Sequence, residues 1–214
     1  MQLSASDGLP PIQTIRRRQA YRLGKAATSI HIAASLERSQ TERFLEAAYS
    51  RAFDGRLRSH YPVLFGVRDA AGEVIAAAGV RPARSGPLFL ERYLDRPIEL
   101  AIVAPGEASV DRAAIVEIGS LAAARHGAAL QLFEALASHL ADSGASHVAV
   151  TATRGLRRTF SRLGFPWRAL APADPARIDG AEDWGRYYDT DPQVIAGPLR
   201  QGLDRLRAHP AAGR

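Results

Sequence analysis

The stretch from Ala113 to Phe165 places the tightest limit on how this chain can fold. Ala113–Leu121 carries Ile115, Val116, Ile118 and Leu121, the composition of a buried strand. Gly119 and the Ala122-Ala123-Ala124 run leave room there for close backbone approach. Gly127 then opens a helix over Ala128–Asp142, with Leu130, Phe133, Leu136, Ala137 and Leu140 at helical spacing. Ser143-Gly144 ends it. His147–Thr153 reads as the next strand, and Leu156–Leu163 as a short helix with Leu156, Phe160 and Leu163 on one face, stopped at Gly164. This β-α-β-α order implies an α/β (α+β) domain: a mixed sheet with helices on both faces.

Upstream, Thr28–Ala34 alternates enough for a first strand, and Ser39 is placed to cap a helix through Ala52 with Phe44, Leu45, Ala48 and Tyr49 on one face. Pro62–Arg68 and Glu73–Val80, joined by a turn at Gly72, predict a hairpin. Leu88–Asp95 is compatible with more than one state. The expected organisation is a flexible segment at 1–27, one domain over 28–207 with a C-terminal extension from about residue 171, and a disordered tail at 208–214.

A chain of 214 residues supports one sizeable core. It has no cysteine, which excludes thiolate nucleophiles, disulfides and cysteine-ligated zinc. No apolar run approaches the roughly 18–20 residues a bilayer requires, and the first eleven residues lack a secretory pattern, so a cytoplasmic protein without integral membrane association is expected. The net charge of +6 is carried almost wholly by scattered arginine, with Arg16-Arg17-Arg18 and Arg157-Arg158 as clusters. No nucleic-acid motif accompanies it, so no nucleic-acid partner is expected; the surface suits an acidic carrier protein or a phosphorylated cofactor. The six histidines show no ligand spacing, and no metal is expected. The absence of Gly-x-Ser-x-Gly leaves a serine hydrolase unsupported.

The turn Ala124-Arg125-His126-Gly127-Ala128-Ala129 would expose backbone N–H groups at a helix start, an arrangement that holds a pyrophosphate. It is similar to the Arg/Gln-x-x-Gly-x-Gly/Ala loop of GNAT acetyltransferases, with Gly127 and Ala129 at the right spacing but Ala124 where Arg or Gln is usual. Phe160-Ser161-Arg162-Leu163-Gly164-Phe165 resembles the Tyr-x-x-x-Gly-Phe end of the GNAT fourth helix. Phe160 stands where many of these enzymes place a tyrosine that protonates the leaving thiolate. A plain strand–helix turn remains the alternative reading.

A further series runs in one order: Glu91-Arg92-Tyr93-Leu94-Asp95-Arg96-Pro97-Ile98-Glu99, Arg112 to Ala122, Thr151-Ala152-Thr153, Arg162-Leu163-Gly164, Ala173-Asp174-Pro175, Trp184-Gly185-Arg186-Tyr187-Tyr188 and Pro192 to Gly197. Together these resemble the thermostable hemolysin family over roughly Phe44–Leu206, with Ser120 where that family tends to have Asn. The family name reflects a lytic phenotype. The resemblance implies a GNAT-like fold with a mostly antiparallel central sheet, close in style to acyl-homoserine lactone synthases. The implied activity is N-acyl transfer of a medium or long chain from acyl-CoA or acyl-carrier protein to a small amine, with no tightly bound cofactor. Homodimerisation is left open. A membrane-active haemolysin-type protein and a non-catalytic binding module are the alternatives.

Under that resemblance Glu117 is a candidate base, or else half of a structural ion pair with Arg112 or Arg92. Glu91 and Arg92 are candidate catalytic residues, with a solvated loop as the alternative. Ile118, Gly119, Leu121, Arg125, His126, Gly127, Ala128, Ala129 and Thr153 are the candidate cofactor-binding positions. Tyr93, Asp95, Glu99, Trp184, Tyr187 and Tyr188 are candidate substrate contacts, and core packing is the alternative for the aromatic ones. An apolar wall for the acyl chain is expected from Val80 to Leu94.

Overall fold

A computed structural model describes residues 30–32, 36–104 and 108–208. The segment expected to be flexible at 1–27 and residues 209–214 of the expected tail lie outside them. Seven strands form one sheet: β1 (Ile30–Ile32), β2 (Val63–Arg68), β3 (Val74–Pro82), β4 (Ile115–Ala123), β5 (His147–Ala152), β6 (Arg168–Pro172) and β7 (Gln193–Pro198), in the order β1-β2-β3-β4-β5-β7-β6. Among the described residues only the β4–β5 pairing is parallel. The helices are α1 (Leu36–Phe53), α2 (Ile98–Ala101), α3 (His126–Asp142), α4 (Arg154–Arg162) and α5 (Leu199–Ala208).

The sheet is covered on both faces, which is why β2 and β3 are buried almost continuously instead of alternately. Alternation along β4 sorts the cover. Val116 and Ile118 pack with Leu132 and Leu136 of α3 and Leu199 and Leu203 of α5. Ile115 faces the other way, among Leu88, Leu90, Tyr93 and Ile98. On that second face α1 buries Thr41, Leu45 and Tyr49, residues four apart on one stripe. The helix begins at Leu36, ahead of the expected cap at Ser39, so Ser39 lies within it.

Three other expectations change. The undecided 88–95 stretch forms a 3₁₀ helix, Phe89–Tyr93. Glu99, read as part of an extended segment, lies in α2. Residues beyond 171, expected as an extension, supply β7, which is inserted between β5 and β6, and α5, which packs on α3.

The strands part at a definite point. Pairing of β4 with β5 stops at Ile118↔Val150, although both strands continue. Along its other edge β4 carries one extra residue, because Gly79 meets Gly119 while Ala77 meets Ala122. The bulge places Ser120 in the left-handed region, with φ of 46°. Asn tolerates that region better than Ser, so Ser120 is held there at some cost in backbone strain.

Candidate functional site

Two cavities lie on opposite faces of the bulge. The first is narrow and apolar, about 80 Å³. Ile118 and Leu121 of β4, Val148 and Val150 of β5, Phe133 and Leu136 of α3, Phe160 of α4, Trp167 and the β7 backbone line it. The second is larger, about 720 Å³, and charged. Its walls include Arg56, Arg58, Tyr61, Arg81, Phe89, Arg92, Ser120, Asp179, Asp183 and Trp184. The Gly119–Ser120 bulge therefore separates the two chambers at the place where β4 leaves β5.

Tyr61 organises the charged side, and sequence reasoning did not single it out. Its ring crosses two glycines: a Cβ on Gly79 would lie 2.5 Å from the ring, and one on Gly119 only 2.1 Å from the hydroxyl. The hydroxyl donates to Glu117 Oε1 at 3.0 Å. Glu117 is 1% exposed and also accepts from the backbone N–H groups of Phe89 (2.9 Å) and Leu90 (3.0 Å). Burial pushes its carboxyl up, against the pull of those donors and of Arg81. Neither Arg112 nor Arg92 pairs with it; three neutral donors stand where the alternative reading had an ion pair. The pair of glycines on adjacent strands was the available signal for a large side chain laid across them.

Arg112 instead gathers the loop before β4. Its guanidinium donates to Glu91 (2.6 and 2.9 Å), Glu99 (2.7 Å) and the carbonyls of Ala83 and Gly86 (both 3.0 Å). Glu91 further accepts from Leu88 N–H and Ile98 N–H. Burial raises the Glu91 carboxyl, but Arg112 and those two N–H groups outweigh it and hold it down to about 2. A carboxylate so engaged is a poor proton acceptor at neutral pH, so Glu91 shapes the loop while Glu117 lies above the bulge. Arg92 is exposed, with its guanidinium 5.2 Å from the Phe89 ring centroid.

The candidate substrate residues separate into two groups. Trp184 lines the charged cavity and packs on Phe89 with centroids 5.6 Å apart. Tyr93 and Tyr187 are core residues: Tyr93 meets the Tyr188 hydroxyl at 2.7 Å, and Tyr187 donates to the carbonyl of Thr151. Asp95 is exposed and pairs with Arg177 at 2.7 Å. With Glu99 it borders a shallow recess beside Arg112.

Of the candidate cofactor positions, Ile118 and Leu121 line the apolar cavity, while Gly119 lies beneath Tyr61 on the other side. Arg125 is exposed at the N-cap of α3, followed by His126 and Gly127 in the first turn, and a Cβ on Gly127 would meet open space. Ala128 is fully buried and Ala129 packs beside Leu130 and Phe133, so the side chains of both belong to the interior. Thr153 caps α4 by accepting from Leu156 N–H. Arg157, noted in the sequence only as part of an arginine cluster, clamps α4 to the carbonyl of Ala152 and to Asp191. Phe160 packs against Phe133 and Phe165, at 5.4 and 5.1 Å between centroids, and offers no proton. The segment from Val80 to Leu94 does not wall the apolar cavity; Leu88, Leu90 and Leu94 are buried on the opposite face because Glu117 and Arg112 pin that loop there.

The arrangement defines a GNAT-like α/β fold built around a splayed strand pair. A family model described as thermostable hemolysin matches residues 32–203, and the chain belongs to that family. No curated protein matches it. Among solved structures it is similar to TofI in its apo form, at 20% identity over 86% of this chain and 98% of that one, TM-score 0.57. FeeM, an N-acyl amino acid synthase from uncultured soil microbes, is 13% identical over 85% and 95%, TM-score 0.58. BjaI, a CoA-dependent acyl-homoserine lactone synthase with SAM and isopentyl-CoA, is 18% identical over 85% and 88%, TM-score 0.55. At these identities the likeness establishes the fold. Among the described residues no helix is long and apolar enough to cross a membrane.

Proposed function

We propose that this protein is an N-acyltransferase that moves an apolar acyl group from a thioester to an amine. The observation that carries the reading is the Gly119–Ser120 bulge, which stands between an apolar chamber and a charged one where β4 and β5 separate. An acyl thioester enters along the opening with its chain directed into the apolar cavity, whose lining suits hydrocarbon. Acyl-CoA or acyl-carrier protein supplies it, with the α3 N-terminus and Gly127 beside any phosphate. Backbone N–H groups at the bulge polarise the thioester carbonyl. The relatives that carry acyl-transferring descriptions point the same way.

The amine comes from the charged side, where Tyr61 is within reach and Glu117 is not. Tyr61 accepts the nitrogen's proton as its own passes to Glu117, whose raised pKa suits it to proton transfer nearer neutrality than a free carboxylate. The nitrogen forms the C–N bond, the C–S bond breaks, and the thiolate regains a proton from solvent or through the same relay, since Phe160 has none to give.

The test is mass spectrometry of the purified protein with acyl-CoA and acyl-carrier donors and an amine panel. Acylated product is expected, reduced about 100-fold or more in Glu117→Gln and by a comparable factor in Tyr61→Phe, which removes the hydroxyl that connects the amine to Glu117. Absence of any acylated amine, with free thiol released at the buffer rate, would overturn the reading. Leakage of liposomes by the pure protein without substrate would favour direct membrane action instead.

A further inference from the structure

The charged cavity has an imbalance that acyl transfer alone does not explain. Four arginines and three carboxylates face it, but most of the acid is already committed. Asp183 takes a two-pronged pair from Arg58, at 2.7 and 2.8 Å. Glu91 is held by Arg112, which lies outside this cavity's lining. That leaves Asp179 against Arg56, Arg81 and Arg92, none of which has a carboxylate of the described residues within ion-pair distance. Arg81 donates to the carbonyl of Pro87 at 3.2 Å and lies 5.9 Å from the Tyr61 ring centroid. Arg92 lies 5.2 Å from that of Phe89. A guanidinium over a ring face keeps its edge N–H donors available, the geometry that grips a carboxylate in the guanidinium plane.

We infer that the acceptor is an amine that also carries a carboxylate, an amino acid with an apolar side chain, whose carboxylate is held by Arg81 and Arg92. The inference rests on the acyl-transfer reading for the amine's fate and on this cavity for its class. Phe89 and Trp184 supply apolar surface for the side chain, and Tyr61, beneath Arg81, brings the proton acceptor to the same wall. The surplus cations have a second effect. They disfavour the ammonium form and so raise the fraction of neutral, nucleophilic amine. The same field repels polyamines and lysine-rich peptides, so the site selects by rejection as well as by attraction.

The experiment uses the full chain and phenylalanine as probe, beside phenylalanine methyl ester, phenethylamine and O-phosphoethanolamine. Calorimetric binding without thioester is expected to show phenylalanine at least tenfold tighter than phenylalanine methyl ester and phenethylamine, the two aromatic probes lacking a carboxylate. The Arg81→Gln/Arg92→Gln variant, with an unchanged melting temperature, should lose that preference while binding phenethylamine as before. If this variant fails to fold, the probe series on the unaltered protein decides alone. Equal binding of phenylalanine and phenethylamine, or no binding of either, overturns the inference, and tighter binding of O-phosphoethanolamine overturns the carboxylate in favour of phosphate. Acyl transfer to amines regardless of carboxylate would sink this inference and leave the N-acyltransferase reading standing. Carboxylate-dependent binding without any transfer would do the reverse.

Discussion

The two chambers beside β4 differ in how they are built, and the difference explains how one strand serves both. The apolar chamber is lined by residues at regular helical and strand positions: Phe133 and Leu136 of α3, Val148 and Val150 of β5. The charged chamber is assembled from connections, with Tyr61 preceding β2, Phe89 on a 3₁₀ turn and Trp184 on a distant segment. Regular elements make a cavity of fixed shape; connections need pins. Glu117 and Arg112 are those pins, and they work in opposite electrostatic regimes. Glu117 holds Phe89, Leu90 and Tyr61 through neutral donors in a buried setting, whereas Arg112 holds Glu91 and Glu99 by charge.

The sharpest way to break this contrast is Gly119→Val. With Tyr61 Oη 2.1 Å from the position of the new Cβ, the ring must leave and Glu117 loses a donor. A loss of about 3 kcal/mol is expected by urea unfolding, and largely regained in a Tyr61→Ala background. A full cost retained in that background would show that Tyr61 is not what the glycine accommodates.

Next is Arg112→Met, expected to cost about 2 kcal/mol at pH 7 because Glu91 and Glu99 are left half-buried and unpaired, with solvent softening the penalty. The pH dependence separates charge from packing. Glu91 has a depressed pKa of about 2, so its contribution is complete above the ordinary carboxylate range near 4.3 and lost as pH falls from there through about 2. Urea midpoints of the unaltered protein should fall across that interval, and those of Arg112→Met should fall less. Parallel curves would show that the loop is held by something other than this ion pair.

Leu136→Trp fills the apolar chamber from α3 without touching the charged one. Transfer from long-chain donors should drop about tenfold relative to acetyl donors, roughly 1.4 kcal/mol in discrimination, with acceptor binding unchanged. Equal loss for all donors would mean that the chain lies elsewhere. The smallest effect is Ser120→Asn, expected to stabilise by about 0.5 kcal/mol by relieving the left-handed φ. Thermal melting would resolve it, and destabilisation would indicate that the Ser120 side chain has a packing role.

Much of the scaffold was legible in the residue pattern. The buried-strand composition of β4, the helical spacing of Leu130, Phe133, Leu136 and Leu140, and Gly144 with its φ of 87° all mark elements by local chemistry. The site was legible only in part. Glu117 stood out as a carboxylate between Val116 and Ile118, and Trp184 as an aromatic in a polar stretch. Glu91 and Arg92 adjoin in sequence but face different surroundings: one is consumed by Arg112, the other stacks on Phe89. Nothing local distinguishes those fates. Tyr93 and Tyr187 read like pocket aromatics but are core, because burial depends on what α1, β5 and the 3₁₀ turns bring against them.

What the sequence by itself determined is the order of the main elements from α1 through α4, because periodicity and glycine placement act over a few neighbouring residues. Tertiary structure alone decided the insertion of β7 between β5 and β6, the parting of β4 from β5 after Ile118, and the placement of Tyr61 over Gly79 and Gly119. These are contacts between segments tens of residues apart, set by which pairings bury apolar surface and satisfy backbone groups together. The two chambers and the bulge between them exist only once those distant pairings are made.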